Sequence, residues 1–148
     1  MGDTPMKLAE ATPGPAEGRI VVGVDGSAMS AKALRYGADL ADLTGSMLQV
    51  VVVYNGLPGF GFTTCIDQDS AETLARDALN SVHASHPSVV TKGEIIYGVA
   101  GPSLCEVCEH AEVIVVGTRG RGRVACALLG SVSEYVMHHA PCTTIVVR

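Results

Sequence analysis

Apolar positions along this chain keep two rhythms. Near-continuous runs at 20–24, 47–54, 112–116 and 143–147, dominated by Val and Ile, predict strands, the first two and the third buried on both faces, since such strands dispense with polar alternation. A further run, Glu94-Ile95-Ile96-Tyr97, mixes polar with apolar residues and predicts a strand at the sheet edge. Between the runs the spacing is helical. Leu34, Ala38 and Ala41 recur on one helix face after Ser27, a good N-cap, so a helix is expected from Ala28 to about Leu43, closed by Gly45. Asp69 and Glu72 have capping-box spacing ahead of Leu74, Ala75, Ala78, Leu79 and Val82, which predicts a second helix ending near Pro87. Pro102 suits the first turn of a short third helix reaching about His110. Ser131 and Glu134 form another capping box, opening a last helix through about His139 that Pro141 breaks.

Strand and helix thus alternate from Arg19 to Arg148, which predicts an α/β domain: a single doubly wound, five-stranded parallel sheet with helices on both faces, joined by right-handed crossovers. Residues 1–18 carry Pro5, Pro13, Pro15, Gly14 and Gly18 with little periodicity and read as a flexible N-terminal arm. The connection 55–70, rich in Gly, Pro and Thr, is long for a βα loop.

Composition narrows this picture. The 148 residues fit one domain, and a hydrophobic fraction of 47% with no Trp, 4 Tyr and 2 Phe means a core of Val, Ile, Leu and Ala. A net charge of -5 argues against binding nucleic acid phosphates. No run approaches the ~20 apolar residues of a membrane span, and no leader pattern opens the chain, so a cytoplasmic protein with no membrane partner is expected. Five cysteines, an odd number, suit a reducing compartment. Cys105 and Cys108 have the spacing of a redox or zinc motif, but no second pair completes a zinc site, and they read as two small apolar residues a helical turn apart.

Candidate chemistry gathers at two strand exits, where open α/β sheets bind ligands. One is Val24-Asp25-Gly26-Ser27, a carboxylate and a flexible glycine. The other is Gly117-Thr118-Arg119-Gly120-Arg121-Gly122-Arg123, leading to Gly130-Ser131. Glycines let backbone N–H groups approach an anion, Ser131 lies at a helix start, and the arginines raise the local positive potential, so the second exit suits phosphate. Gly120-Arg121-Gly122-Arg123-Val124-Ala125 also matches a dinucleotide fingerprint, but its glycines come too late after the strand and no acidic residue ends the next one. No G-K-[ST] triplet is present, which removes the P-loop. His83, His86, His138 and His139 belong to helices and read as solvated.

The spacing Gly117-x2-Gly120-x9-Gly130-Ser131 after a strand resembles the nucleotide-binding signature of the ATP-binding universal stress proteins. The resemblance runs from Arg19 to Arg148 and includes Val24-Asp25-Gly26-Ser27 and His139-Ala140-Pro141-Cys142. It implies that Gly23 and Val24 line a base pocket, that Val53 bonds adenine through its backbone, and that Asp25 faces the ribose or a metal-bridged phosphate. It further implies that Val116, Gly117, Arg119, Gly120, Arg121, Gly130, Ser131, Val132 and Ser133 surround the phosphates of ATP, ADP or AMP, with Mg2+ or Mn2+ bridging. The expected function is a nucleotide-responsive regulatory protein of the stress response, not an enzyme, acting as a homodimer through the last strand and on an unknown regulatory protein partner. The alternatives are a slow ATPase or other adenine-nucleotide-dependent enzyme, and a dimerisation module without nucleotide.

Overall fold

The computed structural model describes residues 6–10 (backbone only), 18–55, 66–118 and 129–148. Its strands and helices follow in the order β1 (Met6–Glu10), β2 (Arg19–Gly23), α1 (Ala28–Thr44), β3 (Met47–Tyr54), α2 (Gln68–Ser85), β4 (Thr91–Tyr97), α3 (Ala100–Val107), β5 (Val113–Gly117), α4 (Ser131–His139) and β6 (Thr143–Val147). A single 3-10 turn, Cys108–His110, extends α3.

The sheet order is β1-β4-β3-β2-β5-β6. From β4 to β6 all neighbours are parallel, which is the expected five-stranded doubly wound sheet. The chain leaves β2 outward through β3 and β4, then returns to β5 and β6 on the other flank, so strand order reverses between β2 and β5. Side chains alternate accordingly. Ile20, Val22, Leu48, Val50, Val52 and Val115 meet α1 and α2 in one core cluster. Val21, Val51, Ile114 and Val116 meet α3 and α4 in the other.

The arm and the edge differ from expectation. Met6–Glu10, inside the segment read as a flexible arm, pair antiparallel with β4 and add a sixth strand. β4 is therefore flanked on both sides, and its mixed polarity has another cause. Gln49 donates from Nε2 to Glu94 Oε2 at 2.5 Å, and Lys92 Nζ stands 3.6 Å from the same carboxylate oxygen. Glu94 is only 8% exposed, so the polar residues of β4 serve a buried cross-strand cluster.

Two helix starts also differ. Asp67, not Asp69, caps α2: its Oδ1 accepts from the Ser70 amide at 2.8 Å, and hydrogen bonds from the Ser70 side chain and backbone hold its carboxyl below the usual Asp range. At α4 the cap is Gly130, with Ser131 already the first helical residue. The first helix begins as read, with Ser27 Oγ accepting from the Ser30 amide at 3.1 Å, and ends at Gly45.

Contact between α1 and the sheet rests on Gly37. A Cβ there would run into Val22 Cγ2 and stand 3.3 Å from Leu48 Cδ1. Although alanine is the better helix former by ~1 kcal/mol, Gly37→Ala should lower the unfolding free energy by about 1–2 kcal/mol through overpacking. Urea denaturation of the two proteins checks this; an unchanged or raised midpoint counts against so close a packing of α1 on β2.

Candidate functional site

Three parallel strands release their carboxyl ends side by side. Gly23 of β2 is in register with Val51 of β3, and Val22 with Val115 of β5, so the chain leaving Gly23 has both neighbours beside it. Val24 continues the ladder by donating its amide to Val51 O at 2.9 Å. Asp25 and Thr118 each stand three residues beyond the paired Val22 and Val115. The two exits singled out in the sequence therefore open on one crevice at the switch point.

The first exit is a tight turn. Asp25 Oδ1 accepts the Ser27 amide at 2.9 Å, an Asx turn, while the Asp25 amide reaches Ser30 Oγ at 3.4 Å. Gly26 takes φ 82, a left-handed conformation that suits glycine, and the chain then enters α1. The Asx turn fixes the Asp25 carboxylate at the mouth of the crevice.

The second exit is closed on itself by Thr118, which sequence reasoning passed over. Thr118 donates its amide to Val147 O of β6 at 2.8 Å, and its carbonyl accepts the Gly130 amide at 2.5 Å. Ser133 is 2% exposed, and its hydroxyl lies 3.1 Å from Thr118 O and 2.9 Å from Gly130 O. The strand end and the helix start are thus pinned together, whatever path residues 119–128 take between them. No spacing rule names Thr118, because its role depends on β5 and β6 being neighbours.

Of the predicted site residues, Gly23, Val24, Asp25, Val53, Val116, Gly117, Gly130, Ser131, Val132 and Ser133 lie at the ends of β2, β3 and β5 or in the first turn of α4 and its cap. Arg119, Gly120 and Arg121 lie outside the described residues. Gly117 has a packing role as well: a Cβ on it would come within 2.8 Å of Met29 Cβ, so its lack of a side chain lets the first turn of α1 close onto β5. Ser133 commits its hydroxyl to loop closure. No side chain caps α4 or α3, whereas α1 and α2 each have one.

The histidines are elsewhere. His83 Nε2 is 2.6 Å from Thr91 Oγ1, and His86 Nε2 is 2.8 Å from Asp39 Oδ1. His110 ends the turn before β5, while His138 and His139 end α4. Each of these segments delivers the chain to the start of a strand, at the opposite end of the sheet from the crevice. Among the described residues no three His, Cys, Asp or Glu side chains could together hold a metal ion, and no helix is long and apolar enough to cross a membrane.

With this geometry in place, comparison with known proteins is decisive. The universal stress protein family matches residues 18–148. The chain belongs to the universal stress protein family. The universal stress protein Rv2624c of Mycobacterium tuberculosis is 35% identical over 131 residues, covering 87% of this chain and 47% of its own. The chain thus spans about half the length of the curated relatives it matches. A universal stress protein solved in complex with cAMP superposes with a TM-score of 0.71 at 22% identity, over 90% of this chain and 99% of that one. One from Archaeoglobus fulgidus solved in complex with dAMP gives 0.68 at 24%, over 90% and 100%. At these identities the likeness is one of fold.

The two serines of α4 should separate in stability. Ser133→Ala removes a buried donor from two carbonyls and should cost about 1 kcal/mol, while exposed Ser131→Ala should stay within about 0.5 kcal/mol of the parent. Thermal or urea unfolding of both variants checks the order; equal effects would mean that the Ser133 hydroxyl does not hold the loop ends together.

Proposed function

We propose that the crevice between β2 and β5 binds an adenine nucleotide, ATP in the first instance, and that occupancy makes this chain a nucleotide-responsive regulatory protein. The observation that carries the reading is the start of α4. Its first-turn amides have no side-chain cap, they follow a glycine, and they stand at the topological switch point. Unpaired N–H groups at a helix start form an anion site, and a phosphate supplies what a capping side chain otherwise would. Gly130 has φ -76, which any residue adopts, so its backbone conformation does not call for glycine; close approach by a ligand does.

In this reading the backbone of Val53 and the chain at Gly23 and Val24 receive the base. The amides of Ser131, Val132 and Ser133, with the Ser131 hydroxyl, hold phosphate beside Gly117 and Gly130. Asp25 turns its carboxylate to the ribose or to a divalent cation bridging phosphate oxygens. One carboxylate with phosphate and water oxygens is a donor set that magnesium accepts. Arg119, Gly120 and Arg121 enter on sequence grounds alone, adding positive charge and backbone donors. The two structural neighbours solved with cAMP and with dAMP support an adenylate as the ligand class.

A regulatory role is favoured over an ATPase by the placement of the histidines at the far end of the sheet. Phosphoryl transfer requires a group that orients the attacking water, beyond a phosphate cradle. Homodimerisation through β6 completes the proposal. β6 ends the sheet order, and Thr144, Ile145, Val146 and Val147 are half-buried, as suits a strand with a partner to gain.

Isothermal titration of nucleotide-stripped protein with ATP and magnesium, beside AMP, cAMP, GTP and NAD, tests the site. Adenine nucleotides should bind selectively, and the double variant Gly130→Val, Ser131→Ala should weaken binding by about tenfold or more, roughly 1.4 kcal/mol. Folded protein that takes up no adenine nucleotide would sink the reading. Sedimentation velocity at micromolar concentration should give a dimer; a monomer there removes the β6 interface.

A further inference from the structure

The end of α2 carries a serine and a histidine, and α1 brings an aspartate up to them. Ser85 Oγ lies 2.8 Å from His86 Nδ1, and His86 Nε2 lies 2.8 Å from Asp39 Oδ1. The His86 side chain is 14% exposed, whereas Ser85 faces solvent. A carboxylate can only accept, so Nε2 carries a hydrogen, and in the neutral ring Nδ1 turns its lone pair to the serine. A hydroxyl beside a base that a third group orients is the arrangement of an activated nucleophile.

A neighbouring contact shows what a purely structural tie needs. Ser88 Oγ donates to Asp42 Oδ1 at 2.7 Å, which already holds the turn after α2 against α1. The second tie adds a histidine with a serine on its other nitrogen, and it borders a groove of about 530 Å3 between the two helices. Leu34, Ala38 and Val82, all buried, form the apolar floor of that groove, and Arg35 and Ser81 line its rim. A concave apolar floor beside a nucleophile and its base is the setting of a small-molecule reaction site.

We propose that Ser85 takes the acyl group from small activated carboxylic esters held in this groove, with His86 as its general base and Asp39 as a positioning residue. Ser85 Oγ bonds to the carbonyl carbon while its proton passes to His86 Nδ1. The ester C–O bond then breaks, and the alcohol leaves with that proton. Water, deprotonated by the same nitrogen, attacks the acyl-serine; the acyl–Oγ bond breaks, the carboxylic acid departs and Ser85 regains a proton. Asp39 holds the tautomer and steadies the positive charge that His86 gains. His86 is also the C-cap of α2, where helix carbonyl groups favour a cation. At rest Ser81 O, 2.9 Å from Ser85 Oγ, is a second acceptor for the one hydroxyl proton, which turns to Nδ1 as the oxygen attacks. The end of α2 leads into the start of β4, away from the crevice, so this chemistry does not depend on nucleotide binding.

The test is exposure of the full chain to p-nitrophenyl acetate, with release of nitrophenolate followed by absorbance and the acetylated residue located by peptide mapping. The expected product is an acetyl group on Ser85, lost again in water. Ser85→Ala should remove it, and His86→Gln should slow its formation by about a hundredfold. Asp39→Asn should slow it as well and change its pH dependence. Asp42→Asn, which breaks only the neighbouring tie, should leave rate and pH profile as in the parent. Circular dichroism shows that each variant compared is folded. Acetyl groups on lysines with Ser85 bare, or a Ser85 rate that His86→Gln leaves unchanged, would overturn the proposal; equal losses in Asp39→Asn and Asp42→Asn would overturn the role of Asp39.

Discussion

The parallel pairing of β2 with both β3 and β5 is the constraint on which the rest depends. A parallel neighbour is reached only by a crossover, and β2 has one on each side. Crossovers leaving in opposite directions put α1 and α2 on one face and α3 and α4 on the other. The strand between them is then covered on both sides, which is why Ile20, Val21 and Val22 are all buried. The same reversal puts the switch point between β2 and β5, where the chain leaves β2 at Asp25 and leaves β5 toward α4.

Close packing and the site share residues, so they are not separable in energy. Gly37 and Gly117 lack side chains at two places where α1 closes on the sheet, at Val22 and through Met29. Gly117 also ends the strand whose exit leads to α4. Thr118 ties that exit to β6 through its amide and to Gly130 through its carbonyl. Thr118 thus links β6 to the start of α4 by backbone hydrogen bonds.

Much of this was legible in the sequence because its signals are local. The runs at 47–54 and 143–147 gave strands with the observed limits, and Ser27 capped α1 as its residue type predicts. The misses have one cause: a local pattern lost to a neighbour distant in sequence. Ser131 and Glu134 look like a capping box, yet Thr118 O takes the Gly130 amide and moves the helix start back by one. Lys92 and Glu94 look like an edge strand, yet Gln49 lies opposite them and β1 pairs outside. The five residues of β1 are too few, between prolines, for a period of two to register. For the site, Asp25 and the glycine spacing were readable; Thr118 was not, since its role exists only once β5 and β6 are side by side.

The three helix starts at the carboxyl ends of β2, β3 and β5 show how the fold distributes its unpaired amides. α1 and α2 satisfy theirs internally, with Ser27 and Asp67. The third has no capping side chain: its N-cap is Gly130, whose amide goes to Thr118 O, and Ser133 gives its hydroxyl to the Thr118 and Gly130 carbonyl groups. Among the described residues no side chain meets the first-turn amides of α4, and an unmet helix end is costly unless solvated or liganded. An anion in the crevice would relieve that cost, so the proposed ligand fits a helix start that Ser133 holds against the end of β5.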